Sequence, residues 1–444
     1  MDGMLPAVYT PQRDSRRQGA RTSILITALC AVMVVIEGYD LVAYSVVLPV
    51  LTDNPAYGFT PGNVGWVAAA VFVGALFGAL TSGWLCDRYG RRPVAIAALA
   101  EFTLFSGLCG FAAGPVSLGL FRLVAGLGIG ALIPAASALT LEFAIPRHRT
   151  LAYTVMLGGV PVGGVLAALT AIPVLANLSW HWMFFIAVIP GVIVLPIVVR
   201  TLPESVAFLE SVGRAEEAAA VRTRFQLAGP PAQAGVPAPA DEGGLFSPGY
   251  RTATVLFAAA TFCGLLAWYG LATWLPGIMR KSGYELGSSL VFLLVLNLGA
   301  VAGSLFTAAA TDKWGNRKVV ILTYAGMAVA LVVMQYKLPQ PPLLLAIALA
   351  GVGGHGGQIL INAFVSKSYP THWRARALGW SLGIGRLGTI VGPILIGWIV
   401  AGGDPRLGFI VFAVAAVTAL VLLSLVPRTR AFEQASSEVT DKAG

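Results

Sequence analysis

Two carboxylates and a phenol lie inside one long apolar stretch near the start of the chain. Glu37, Asp40 and Tyr44 fall within the apolar run at 24–51, which is long enough to cross a bilayer. On an α-helix these positions point within roughly 60° of one another, so the three side chains share a face. Ionisable groups at membrane depth are costly, and they usually face a cavity in which they handle ions, protons or substrate. The alternative is a carboxylate that packs between helices and is satisfied by a neighbouring side chain.

The composition indicates that membrane helices position these groups. The chain has 444 residues, of which 57% are hydrophobic and 11% are charged, whereas about a quarter of residues are charged in soluble proteins. Apolar runs close to or above the ~20 residues needed to span a bilayer recur along the chain. They lie at about 24–51, 63–83, 93–113, 116–143, 150–176, 180–200, 251–279, 287–310, 319–337, 341–365, 376–401 and 406–426. The sequence therefore predicts an all-α membrane protein with twelve transmembrane helices.

Lysine and arginine residues give the predicted orientation. If both termini lie on one side, 23 of the 29 Lys and Arg residues fall in the tails and loops of that side, and 4 fall in the opposite loops. Cytoplasmic loops carry this excess in multi-pass proteins. We therefore expect a bacterial-type cytoplasmic (inner) membrane protein with its N- and C-termini in the cytoplasm. The same distribution accounts for the net charge of +9, so nucleic acid is not an expected partner.

A polar linker divides the chain into two similar parts. We predict a cytoplasmic N-terminal tail at 1–22, an N-terminal six-helix half at 23–200, a cytoplasmic linker at 201–250, a C-terminal six-helix half at 251–427 and a cytoplasmic C-terminal tail at 428–444. Residues 214–226 of the linker are predicted to form an amphipathic helix. Asp87 and Asp312, like Gly90 and Gly315, are about 225 positions apart, which indicates duplication of a six-helix unit. Two such halves enclose a central cavity, with the substrate site near the midplane.

One loop carries the resemblance to a known family. The segment after the second predicted helix is Gly83-Trp84-Leu85-Cys86-Asp87-Arg88-Tyr89-Gly90-Arg91-Arg92. It resembles the loop motif of the major facilitator superfamily, and residues 122–130 resemble the arginine motif of that superfamily's fourth helix. Asp87 can accept a hydrogen bond from an arginine or a helix N-terminus across the seam between the halves. We expect Asp87 and Arg91 to belong to a cytoplasmic gate that is locked in one state and released in the other; the alternative is a plain positively charged loop.

Within the superfamily, the first helix is similar to the signature of the aromatic acid:proton symporter family. That pattern is an acidic residue, glycine, an aromatic residue and aspartate; Asp40 matches it, and Glu37 stands where aspartate is common. The segments Trp274-Leu275-Pro276, Tyr369-Pro370-Thr371 and Gly385-Arg386-Leu387-Gly388 also fit. The resemblance implies proton-coupled import of a monocyclic aromatic carboxylate, of the benzoate or hydroxybenzoate class, by alternating access. Asp40 and Glu37 would then couple transport to protons, with no other cofactor.

Candidate substrate-binding residues follow from the chemistry of an aromatic acid, which is an anion with a flat apolar body. Such a ligand needs a fixed cation in a low-dielectric cavity with aromatic walls. Arg386, about 15 Å deep in the eleventh predicted helix, is the candidate for the carboxylate, unless it pairs with a protein carboxylate. His355, Gln358 and Asn362 share a face of the tenth predicted helix and are candidates for a ring hydroxyl; a satisfied intramembrane histidine is the alternative. Candidate aromatic walls, or else interface anchors, are Tyr44, Trp268, Tyr269, Trp274 and Trp380.

Other charged residues are assigned to coupling or gating. Arg122, on the outer side of the fourth predicted helix, is expected to pair with Glu101 or with a carboxylate of the first helix and so to tune its proton affinity, or to be structural. Glu101 is either a second proton site or a packed, protonated glutamate. Glu142 and Arg374 match positions that the family uses, and we expect them to act at the cytoplasmic gate or between helices.

Several function classes can be excluded, and others stay open. The sequence has no nucleophile motif, phosphate-binding loop or metal-ligand cluster, so neither an enzyme nor a metal site is expected. The expected partners are a small aromatic acid and the lipid bilayer, with a monomer as the functional unit. The alternatives are a symporter of another small organic anion, a proton-driven exporter, and a non-transporting membrane sensor of aromatic acids.

Overall fold

The architecture is entirely helical in the part of the chain described by a computed structural model, namely residues 11–225, 227, 244–336, 338–370 and 373–427. The helices are α1 (Pro11–Asp53), α2 (Pro61–Tyr89), α3 (Arg91–Cys109), α4 (Pro115–Phe143), α5 (Arg149–Leu157), α6 (Gly159–Asn177), α7 (His181–Thr201), α8 (Val206–Ser211), α9 (Ala215–Phe225), α10 (Arg251–Lys281), α11 (Leu286–Trp314), α12 (Asn316–Val333), α13 (Gln340–Gly351), α14 (Gly357–Ser368), α15 (Arg374–Ala401) and α16 (Leu407–Leu425). Twelve spans are long and apolar enough to cross a membrane. The predicted all-α membrane fold is confirmed.

Two of these spans are composed of more than one helix. α5 and α6 belong to the span Pro146–Asn177, and α13 and α14 belong to the span Gln340–Ser368. A π-helical turn, Val352–Gly356, joins α13 to α14. An interruption of this kind often marks a functional position in a helix.

The two loops related by duplication have the same backbone conformation. Gly90 ends α2 with φ 99°, and Gly315 ends α11 with φ 78°. A side chain at a positive φ clashes with the backbone, so glycine is favoured at both turns. The spacing of about 225 residues therefore corresponds to one turn that is repeated in the two halves.

The spans pack as two groups of six, α1–α7 and α10–α16. Helices of the two halves meet where α2 packs against α15, α6 against α11 and α1 against α10. Small residues permit close approach within each half: a Cβ atom on Gly38 of α1 would overlap the carbonyl oxygen of Val160 on α6. Close packing at small residues is how membrane helices associate without a hydrophobic driving force.

The seam between the halves is tight at one end of the bundle and open at the other. We call the end that carries α8 and α9 the linker end, and the other the opposite end. Towards the opposite end, a Cβ atom on Gly65 of α2 would lie 2.8 Å from the carbonyl oxygen of Pro393 on α15. At the linker end of the same two helices, Gly83 and Gly379 have no neighbouring atom within 4 Å of such a position. α2 and α15 therefore diverge towards the linker end.

The linker contains the amphipathic helix that the sequence predicts, since α9 lies within residues 214–226. A second short helix, α8, was not predicted. α1 begins at Pro11, inside the segment predicted as an N-terminal tail, while its membrane span begins at Thr22. The predicted C-terminal tail (428–444) and the linker segment 228–243 lie outside the described residues.

Candidate functional site

A cavity of about 160 Å³ lies between the two halves at the depth of Glu37, which is midway along the first span. Its polar lining residues are Glu37, His355, Gln358, Asn362, Arg386 and Thr389, and its aromatic ones are Phe72, Tyr153, Trp268 and Tyr269. An engineered apolar cavity of about 150 Å³ in another protein holds one benzene molecule. The space therefore matches a single aromatic ring. Of the predicted substrate ligands, Arg386, His355, Gln358 and Asn362 all face it.

Arg386 of α15 uses one of its N–H groups in a hydrogen bond to the protein backbone and forms no ion pair with a described residue. Its Nη1 donates to the carbonyl oxygen of Ala75 on α2, at 3.3 Å. Glu37 interacts with it electrostatically, but within the described chain neither side chain forms a direct ion pair. A guanidinium presents five N–H donors in a planar fork that suits a carboxylate. The remaining donors of Arg386 can therefore receive an anionic ligand.

The π-helical turn positions the polar wall of the cavity. A Cβ atom on Gly354 would overlap the indole ring of Trp268, so glycine lets the turn pack directly on α10. The His355 ring lies beside the same indole, with ring centroids 5.9 Å apart. The helix face that carries His355 and Gln358 is thereby turned to the cavity.

Two polar atoms of this wall have no hydrogen-bond partner among the described residues. Gln358 Nε2 donates to Asn362 Oδ1 at 3.0 Å, but Gln358 Oε1 and His355 Nε2 are buried and unpaired. Buried polar groups in folded proteins nearly always have a partner. A ligand with a hydroxyl group can supply one here.

Asp40 lies in a separate cluster, away from the cavity lining. The hydroxyl of Ser106 on α3 donates to its carboxylate, and Arg122 on α4 interacts with it electrostatically. The Arg122 guanidinium lies 4.5 Å from the ring centroid of Tyr44, whose hydroxyl donates to the carbonyl oxygen of Val64 at 2.9 Å. Among the described residues Arg122 forms no ion pair with Asp40, and its Nε and Nη1 are buried without a hydrogen-bond partner, so the predicted pairing with a carboxylate of the first helix stays a prediction.

Three predicted aromatic walls are absent from the cavity lining. Tyr44 is 1% exposed and packs beneath the guanidinium of Arg122. Trp274 is 1% exposed, and its Nε1 donates to the carbonyl oxygen of Pro393 at 2.9 Å, which fastens α10 to α15. Tyr44 and Trp274 both lie towards the opposite end, where the seam is closed. The position of a residue on a helix face does not predict where along that face the two halves close. Trp380 is exposed and packs edge-to-face on Phe246, so it is not a wall either.

Ser205 joins the gate candidates Arg91 and Glu142, and Glu204 also holds Arg91. The sequence interpretation missed both residues. Glu204 accepts from the backbone N–H groups of Arg91 and Arg92, at 3.0 and 3.1 Å, at the N-terminus of α3. The Arg91 guanidinium donates to the hydroxyl of Ser205, which donates to Glu142 at 2.6 Å. The missed signal is a serine cap with a preceding glutamate at the start of α8.

Asp87 and Arg374 do not link the two halves in this structure. Asp87 is exposed, and it has no hydrogen bond or ion pair with any described residue. Arg374 donates to the carbonyl oxygen of Tyr369 at 3.2 Å, within its own half. The predicted contact across the seam is therefore not formed here, and the gating role of Asp87 and Arg374 stays a prediction. The side chain of Asp312, the duplicate of Asp87, lies outside the described part.

Glu101 packs into a notch on α4. A Cβ atom on Gly128 would overlap its carboxyl group, and neither of its two buried oxygens has a hydrogen-bond partner among the residues that the structure describes. Arg122 therefore does not pair with it. The geometry leaves both predicted roles of Glu101 open.

Comparisons with known proteins agree with this architecture. The sequence model of the Major Facilitator Superfamily matches residues 30–308 and 289–442. A gentisate transporter of Corynebacterium glutamicum is 38% identical over 400 residues, which cover 89% of this chain and 85% of the relative. A benzoate transport protein of Acinetobacter baylyi is 31% identical over 429 residues, covering 92% and 90%. Among solved structures, the xylose transporter XylE of E. coli, in a partially occluded inward-open conformation, aligns with a TM-score of 0.73 at 16% identity, over 92% of this chain and 99% of that one. The chain therefore belongs to the Major Facilitator Superfamily, and it is a transporter, not an enzyme.

Proposed function

We propose that the protein imports a monocyclic aromatic carboxylate together with protons, by alternating access. The observation that carries the proposal is Arg386, a guanidinium with unpaired donors in a cavity of about 160 Å³. A small anion with one ring satisfies both the charge and the space. The gentisate and benzoate transporters to which the chain is similar support an aromatic acid over other small anions.

The cavity lining favours one orientation of the substrate. The carboxylate would lie at Arg386 and the ring between the aromatic side chains of the two halves. Phe72 and Tyr269 form an edge-to-face pair across the seam, with centroids 5.0 Å apart. The far edge of the ring would then face His355 and Gln358, whose unpaired atoms suit a ring hydroxyl.

The Asp40 cluster has the features of a proton site. Burial favours the neutral form of a carboxyl group, and a nearby guanidinium favours the charged form. Asp40 experiences both, because it is buried beside Arg122. A movement of α1 against α4 would change that balance and so load or release a proton. Glu37, which interacts electrostatically with both Asp40 and Arg386, links the proton site to the substrate cavity.

The seam between the halves is closed at one end and open at the other, as expected for an inward-facing state of an alternating-access cycle. At the opposite end, Arg280 of α10 donates to Asp53 of α1 at 3.1 Å, and Leu48 of α1 packs against Gly277 of α10. The linker end is open between α2 and α15. The excess of Lys and Arg at the linker end supports the cytoplasm as the side that this end faces. Proton and substrate would bind outside, and both would leave through the open linker end.

The proposal is tested by uptake into proteoliposomes. Labelled benzoate and hydroxybenzoates are offered with and without an imposed inward proton gradient. We expect accumulation above the external concentration only when the gradient is present. Gradient-driven efflux instead of uptake would identify an exporter. Saturable binding with no transport under either condition would identify a sensor.

A further inference from the structure

A second cavity, of about 380 Å³, lies at the linker end of the N-terminal half. It is bounded by the turn between α2 and α3, the last residues of α7 and the linker helix α9. The spans Gly62–Tyr89, Arg91–Cys109 and His181–Thr201 all begin or end at this level. The cavity therefore lies at the depth of the lipid headgroups, away from the substrate site.

The lining of this cavity carries more positive than negative charge. Its arginines and carboxylates are Arg92, Arg200, Arg214, Arg224, Glu204 and Glu217. Glu217 is paired with Arg214 at 2.5 Å. Glu204 accepts from backbone N–H groups at the start of α3. Three arginines thus remain without a carboxylate partner in the described chain.

These three arginines surround a common space. Arg92 donates from Nη2 to the carbonyl oxygen of Val199 at 2.7 Å, but its Nε is buried and finds no hydrogen-bond partner in the described part of the chain. Arg200 and Arg224 are exposed, and the described residues offer them no ion pair. A guanidinium binds phosphate oxygens through paired N–H groups. An anion with several acceptor oxygens would satisfy all three.

We propose that this cavity binds a phosphate group, and that the headgroup of an anionic phospholipid supplies it. The depth argues for a lipid, since basic pockets beside membrane helices on the cytoplasmic side bind such headgroups. Trp84 and Tyr89, exposed on α2 next to the cavity, are side chains of the kind that anchor a helix at the interface. A bound headgroup ties α9 to α3 and α7 and so fixes the linker against the N-terminal half. This inference does not depend on the identity of the transported substrate.

The test measures lipid binding to the full-length protein. Protein purified in detergent is titrated with phosphatidylglycerol or with phosphatidylcholine, and retained lipid is counted by native mass spectrometry. We expect the wild type to retain phosphatidylglycerol in preference. Each exposed arginine near a lipid headgroup contributes about a fivefold factor in affinity. The double variant Arg200→Gln/Arg224→Gln should therefore bind phosphatidylglycerol roughly 25-fold more weakly.

Two further variants separate the cavity from surface charge in general. Arg251 and Arg376 are exposed at the same end of the bundle, in the other half. Arg251→Gln/Arg376→Gln removes equal charge and should leave the preference unchanged. Arg200→Lys/Arg224→Lys keeps the charge but removes the paired N–H groups, so it should bind more weakly than the wild type and more tightly than the glutamine variant. Equal retention of the two lipids by the wild type, or an equal loss in the Arg251/Arg376 variant, overturns the proposal.

A separate arm identifies the source of the phosphate. Inorganic phosphate is added to the wild type that has been loaded with phosphatidylglycerol. We expect no displacement at concentrations comparable to that of the lipid. Displacement at such concentrations would assign the site to a free anion and overturn the lipid as its occupant.

Discussion

Replacing Gln358 by methionine should reduce the preference of the protein for hydroxylated over unsubstituted aromatic acids. In the structure Gln358 Oε1 is buried and unpaired, while Nε2 is already bonded to Asn362. A ring hydroxyl that donates to Oε1 gains a hydrogen bond, and benzoate leaves the acceptor unpaired. A net hydrogen bond contributes about 0.5–1.5 kcal/mol, and an unpaired buried acceptor costs about 1–3 kcal/mol. A central value of about 1.4 kcal/mol corresponds to a tenfold change. Gln358→Met should therefore lower the affinity ratio about tenfold.

The assay is isothermal titration calorimetry with benzoate and the three monohydroxybenzoates, and the best hydroxylated ligand is compared with benzoate. Ile359→Met is the matched control, because Ile359 is an apolar lining residue of the same helix. It should change the affinities for both ligands alike. An unchanged ratio in Gln358→Met would refute the assignment of this acceptor. Failure of the wild type to bind either acid would instead refute the proposed substrate class, so the two outcomes are distinct.

Three further predictions follow from other contacts. Asp40→Asn should abolish gradient-driven accumulation but leave membrane insertion and substrate binding intact; normal accumulation in proteoliposomes would remove Asp40 from the coupling step. Gly38→Ala forces a methyl group against the backbone of Val160 and should cost about 1–3 kcal/mol, seen as a lower melting temperature in detergent. Gly83→Ala, which meets open space, is its control and should not lower it. Glu204→Ala removes the acceptor of two N–H groups of α3 and should cost about 0.5–2 kcal/mol in the same measurement, with no effect on substrate affinity.

The membrane architecture could be predicted from the sequence because hydrocarbon thickness sets a length that each apolar run must meet. Twelve runs met it, and the described part of the chain contains twelve spans. The repeated turn at Gly90 and Gly315 was also predictable, since a positive φ favours one residue type. The short helix α8 was not predicted, because a helix of this length depends on a serine cap and local packing, with no periodic pattern of its own.

The sequence could predict which charged residues face the cavity, but it could not predict how far the cavity extends along the helices. Arg386 and Glu37 face the cavity because an ionisable group at membrane depth needs polar surroundings. Helix periodicity placed Tyr44 on the same face as Glu37, but it does not tell where along that face the cavity ends. Trp274 and Tyr44 lie beyond that limit, in the closed part of the seam. The hydrogen bond from Ser106 to Asp40 joins two helices that are far apart in the chain, so no local sequence pattern could predict it.

The division of charges between the halves bears on how such a transporter can diversify. Asp40 and Arg122 both belong to the N-terminal half, and Arg386 belongs to the C-terminal half. Under the proposed function, the proton site lies in the first product of the ancestral duplication and the cation for the substrate carboxylate lies in the second, while both halves line the ring. A chimaera that takes its C-terminal half from a paralogue would then acquire a new anion specificity while inheriting the old coupling ion. Selection for a new substrate can therefore act on the C-terminal half without changing the coupling of transport to protons.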